Sequence, residues 1–155
     1  MATIDNLLIA ETAIVERVTA QMMTGSNAVL RKVLTMMDLA SIPEEQQTVP
    51  SVSVVYDSHA VGGGSEVDLE STATLKQRWI TVVAVASAVR MRESAVRNQE
   101  AGPLLLALWN ALHGFEPGKG LSPLLPLTPP RAYYSAGYAY FPLAWSTSLT
   151  MCRTT

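Results

Sequence analysis

Charge is what this chain has least of. Only 15% of its 155 residues are Asp, Glu, Lys or Arg, against roughly 25% in an ordinary soluble domain. Its 11 basic and 13 acidic residues leave a formal charge of −2, without the clustered Lys and Arg that a nucleic-acid groove needs. A lone cysteine, Cys152, excludes an internal disulfide and implies no oxidising compartment. The two histidines, His59 and His113, have no metal-ligand spacing to each other or to Cys152. Long apolar runs are missing too. The longest, Ile80–Val89, is interrupted by Thr81 and Ser87 and falls short of the ~18 residues of a membrane span. The opening Met1-Ala-Thr-Ile-Asp5 carries acid where a secretion signal carries base, so synthesis in the cytosol without export is expected.

Catalytic motifs are equally scarce. Gly118-Lys119-Gly120 lacks the Ser or Thr that follows the lysine of a phosphate loop, and it succeeds a helix rather than a strand. Gly62-Gly63-Gly64-Ser65 leads into acids, not into a helix N-terminus, so it offers no phosphate cradle. Glu44-Glu45 reads as a solvated first helical turn, and no G-x-S-x-G elbow occurs. The expectation is a protein that is not an enzyme and takes no cofactor or metal.

What is present is apolar. Hydrophobic residues make up 48% of the chain, and its length suits one domain over residues 1–155 that buries about two-thirds of its unfolded surface. So little charge on so apolar a chain points to a surface hidden in a partner, foremost a homo-oligomer. Ile4, Leu7, Leu8, Ile14, Val15, Val18 and Met22 recur at helical spacing, with Thr3 or Asp5 as cap and Gly25-Ser26-Asn27 as stop. Arg31–Met36 reads as helix or strand, with Val33, Leu34 and Thr35 favouring strand. Pro43-Glu44-Glu45 suits the first turn of a short helix.

Ser51–Tyr56 is a strand, and Asp57–Thr72, with Gly62, Gly63, Gly64, Glu66 and Asp68, is expected to be a flexible contact loop. From about Leu75 to Arg90 a second strand is apolar on both faces, which places it mid-sheet with helices or another subunit on each side. A helix from about Glu93 carries Gly102-Pro103, where a kink or restart is expected, then Leu104, Leu105, Leu108, Trp109 and Leu112 before Gly114 ends it. Glu116–Pro130 holds five of the nine prolines and is expected to be extended. In the closing strand Phe141, Leu143, Trp145, Leu149 and Met151 alternate inward, and Pro142 argues for an edge position or a bulge. Tyr133, Tyr134, Tyr138 and Tyr140 form an aromatic cluster across a hairpin, suited to cross-strand packing or to a protein interface.

Five segments carry a resemblance. They are Val52–Tyr56 with its glycine loop, Gln77-Arg78-Trp79 running into Val89-Arg90, and the helix with Glu100-Ala-Gly102 that closes on Leu112-His-Gly-Phe115. Pro123-Leu124 with Thr128-Pro129-Pro130 and Tyr138–Leu143 complete the set. In order and spacing they resemble the tail terminator proteins of long-tailed bacteriophages, especially those of Mu-like and related prophages. The resemblance implies an α/β sandwich of the α+β kind, a mostly antiparallel sheet of about four to five strands with helices packed against it.

It also implies a ring, usually a hexamer, at the head-proximal end of the tail tube, which halts tube polymerisation and presents a surface to the neck. Partners would be further copies of itself, the tail-tube protein and a neck or head-completion connector, with no specific nucleic-acid binding although DNA passes through the ring, and no membrane. Its place would be the virion, at the tail–neck junction. Arg90, Arg92, Tyr134, Tyr138 and Tyr140 are the candidate contact residues, since aromatic and arginine side chains carry a large share of interface energy. Two alternatives stand beside this: a head-completion or neck connector ring, and a small-molecule binding module walled by the aromatic cluster.

Overall fold

The computed structural model describes residues 6–24, 28–36, 38, 48–62, 72–86, 94–135 and 137–152, excluding the side chains of 62, 72, 94–100 and 152. Helix α1 spans Ile9–Val18 and continues as a π-helical turn over Thr19–Met23. Its buried residues, Ala10, Ile14, Val18 and Met22, are spaced by four. Each such step overshoots an α turn by about 40°. The last step falls in the wider π turn, which compensates and returns Met22 to the buried face. Thr19 Oγ1 donates to the Val15 carbonyl at 2.7 Å at the transition, a back-bond that helps to bend a helix.

Leu7 and Leu8 precede the helix and are exposed, contrary to their expected place on its buried stripe. Asn6 Oδ1 accepts from the Leu8 amide at 2.9 Å, and the Leu7 carbonyl accepts from Gln77 Nε2 at 2.6 Å. These bonds fix the entry as a turn. Thr3 and Asp5, the expected caps, lie outside the described residues, as do Gly25-Ser26-Asn27 and Pro43-Glu44-Glu45.

A six-stranded sheet forms the rest of the frame. Its strands are β1 (Lys32–Thr35), β2 (Ser51–Gly62), β3 (Thr72–Ala86), β4 (Leu125–Leu127), β5 (Tyr133–Ser135) and β6 (Tyr138–Cys152), with helix α2 (Ser94–Leu112) between β3 and β4. The spatial order is β1-β2-β3-β6-β4, with β5 also on β6; β1 runs parallel to β2 and every other pairing is antiparallel. Arg31–Met36 therefore resolves as the strand Lys32–Thr35. Thr35 then caps a turn: its amide donates to Asp38 Oδ2 at 2.9 Å and its hydroxyl accepts from the Asp38 amide at 3.4 Å.

Two expectations are corrected by the register. The segment Asp57–Thr72 is not wholly a loop. Ser58–Gly62 pairs with Arg78–Thr74, a bulge at Asp57 marks the only shift, and Thr72 already pairs with Cys152. Asp-Ser-His-Ala-Val-Gly has no apolar alternation to announce a strand. Its backbone groups find partners on β3, which β6 holds from the other side. Gly63, Gly64, Glu66 and Asp68 lie outside the described residues.

Pro142, in turn, does not mark an edge. β6 pairs with β3 along its whole length, and on its outer side β5 stops at the partner of Tyr140 while β4 begins at that of Ala144. Pro142 occupies the gap between them, where a missing donor deprives no ladder on that side. The sheet also has more strands than expected, because Leu125-Pro126-Leu127 is short and contains proline, so it reads locally as connector.

Cross-strand partners share a face, so the register divides the sheet. Val52, Val54, Tyr56, Trp79, Thr81, Val83, Val85, Trp145 and Leu149 face the helices. They form the core with Ile14 and Val18 of α1, Leu104, Leu108 and Leu112 of α2, and Leu121 and Leu124 of the connector. The other face carries Ser51, Ser53, Val55, Ile80, Val82, Ala84, Tyr140, Pro142, Ala144 and Ser146. Helix α2 runs unbroken through Pro103, so the expected restart is absent. Gly102 and Pro103 are exposed. Gly114 ends the helix as expected, with φ at 76°.

Candidate interaction surfaces

The β5–β6 hairpin turns at Gly137, whose φ of 82° is open to glycine at little cost. Register places Tyr133 opposite Tyr140, and their rings stack at 4.6 Å with 16° between planes. Tyr138 and Tyr140 share that face, with ring centroids 6.5 Å apart. Tyr134 pairs with Ala139 and so points to the other face, where it meets Phe141 edge-on at 6.4 Å. The three tyrosines expected to form one contact surface are thus divided. Tyr140 is only 7% exposed, while Tyr133 and Tyr134 are 50% and 60% exposed. Tyr133, not Tyr134, completes the cluster, and strand alternation across a known turn is the signal that could have shown it. Arg90 and Arg92 lie outside the described residues.

The polar groups inside the molecule serve the frame. Gln77, 1% exposed, donates to the Leu7 carbonyl and accepts from Trp79 Nε1 at 3.2 Å. A buried amide needs such partners on both ends. Trp145 Nε1 donates to Thr81 Oγ1 at 2.9 Å. Arg17 Nε donates to the Ala111 carbonyl at 3.0 Å, and its guanidinium lies 5.1 Å from the Phe115 ring centre. Arg17 thereby serves an orphan carbonyl at the end of α2, where a cation also opposes the helix dipole. Arg78 pairs with Asp57 at 3.2 Å across the bulge. The two Thr35 hydrogen bonds, backbone first and hydroxyl second, hold the Asp38 carboxyl below its ordinary range.

Among the described residues no group of His, Cys, Asp or Glu is arranged to hold a metal, and no helix is long and apolar enough to cross a membrane. His59 is exposed on β2 beside Tyr56 Oη, and exposed His113 packs edge-on to Trp109 at 5.5 Å. One open cavity of about 430 Å³ is lined by Val29, Val49, Pro50, Val85, Ala86, Pro103 and Leu104. None of these side chains can form a hydrogen bond, and the tyrosine cluster does not wall it. A specific small-molecule pocket needs some placed polar groups, which this cavity lacks. What the surface offers instead is side chains suited to contact with protein: Trp109 at 37% exposure, Leu106, Leu125 and the two outer tyrosines.

Comparison with known families returns a match to the family described as phage tail terminator protein, over residues 4–155. No curated protein matches the chain.

Proposed function

The chain belongs to the phage tail terminator family, a family of structural phage tail proteins, and on that premise we propose that it forms a ring capping the head-proximal end of the tail tube. Such a ring occupies the site where the next tube ring would dock, which ends polymerisation, and it offers its other side to the neck. The observation that carries this reading is the extent of the family match, which spans the helices and the whole sheet. The low charge of the chain and the apolar side chains exposed on α2 and β4 support it, because subunits of an assembly bury such surface against one another.

The test is a phage or prophage lacking this gene, viewed by electron microscopy. Tubes should start normally and grow overlong, without heads. Tails of normal length beside filled, tailless heads would replace the terminator with a neck connector, and unchanged virions would reject both.

A further inference from the structure

On the sheet face turned away from α1 and α2, Arg78 makes contacts on both sides of its own strand. It stands opposite Ser58 on β2 and Ser146 on β6. Toward β2, its Nε lies 3.2 Å from Asp57 Oδ2, and Ser58 Oγ donates to the same oxygen at 3.0 Å. Asp57 is the bulge of that strand. The Nε is buried without a well-aligned acceptor, so its contact with Asp57 is ionic rather than a hydrogen bond. On the other side, Arg78 Nη2 donates to the Thr128 carbonyl at 3.3 Å.

β6 lies between β3 and β4, so the guanidinium crosses β6 to reach Thr128. The β6 residues on that face, Ala144 and Ser146, are small enough to let it pass. Thr128 opens the exposed stretch Thr128–Ala132 between β4 and β5. Pro129 and Pro130 carry no amide donor. The grip on the Thr128 carbonyl therefore anchors the loop from the sheet, where its own backbone offers less.

We infer that Arg78 is a latch across the sheet, which couples the bulge of β2 to the β4–β5 loop. Asp57 holds one end of the guanidinium, and the other end holds the loop. An exposed ion pair adds little stability of its own. Its effect here is to place the donor. A contact that displaces the bulge therefore loosens Pro129, Pro130 and Arg131 on the far side of the β3–β6 pair. The inference goes beyond the ring reading and does not depend on it.

The test is limited trypsin digestion of the full chain, read by mass spectrometry. Cleavage after Arg131 reports opening of the loop, and cleavage after exposed Lys119, in the connector, serves as the internal reference. The ratio of the two rates follows how often the loop opens. Asp57→Ala and Arg78→Met should each raise that ratio at least about threefold, the worth of one modest hydrogen bond, with the melting temperature nearly unchanged. In the Arg78→Met background, Asp57→Ala should add nothing, because its effect passes through the missing guanidinium. A ratio that ignores Asp57→Ala would overturn the inference. So would an effect of Asp57→Ala that persists without Arg78, or equal rises at both sites with a lowered melting temperature, which mark general loosening.

Discussion

Trp145 shows how much a single residue can carry. Its ring is fully buried against α2, 5.6 Å from Trp109, and its indole nitrogen depends on Thr81. Trp145→Ala should cost roughly 3–5 kcal/mol in denaturant unfolding, from lost burial plus the cavity left behind. Trp145→Phe should cost less, although it leaves the Thr81 hydroxyl without its donor. A loss below ~1 kcal/mol for the alanine variant would mean that the site collapses around it or is not buried in the assembled protein.

Asp38 gives a pH-dependent counterpart. A carboxyl held below its ordinary range stabilises the fold fully above the unfolded value, near 3.9, and loses that contribution as pH falls through the folded value. The melting-temperature gap between wild type and Asp38→Asn should therefore be widest near neutral pH and close below about pH 4. A gap that is constant with pH would remove the Thr35 bonds as its cause.

Helix α2 shows an element overriding a local rule. Proline inside a helix costs about 3 kcal/mol relative to alanine in isolation. Yet Ala101 before Pro103 and Leu104, Leu108 and Leu112 after it are all buried in the same core, so packing on both sides of the proline keeps one helix. Because Pro103 itself is exposed, Pro103→Ala should restore a donor without disturbing the core. A rise in melting temperature is expected, and a fall would show that the ring of Pro103 packs against something essential. β2 makes the opposite point. Its first half is legible as Ser-Val-Ser-Val-Val-Tyr, with alternate residues in the core. Its second half is strand only because β3 lies beside it.

At the scale of the whole molecule, α1 and α2 share one face of the sheet. An assembly of such subunits should be held chiefly by the apolar side chains that the single subunit leaves exposed, among them Leu106, Trp109 and Leu125. Its mass should then hardly change between 0.1 and 1 M salt, over which the screening length falls from about 10 to about 3 Å. Dissociation at high salt, followed by sedimentation, would instead mark the contact as ionic.

The sequence by itself determined the elements whose signals are local. The α1 stripe from Ile14 to Met22, the strand from Ser51, the stop at Gly114 and the extended proline connector each follow from side-chain periodicity or from one residue's backbone limits. It also carried the order of segments by which the family was legible. The tertiary structure decided what depends on residues distant in sequence. It set how far β2 and β3 run together, why Pro142 lies inside the sheet, and which face each tyrosine takes. It also made Gln77 a core residue, bonded to Leu7 and Trp79. The reason is that a strand's backbone groups are satisfied only by another strand, and a buried amide only by whatever the fold brings to it. Neither partner is encoded beside the residue that needs it.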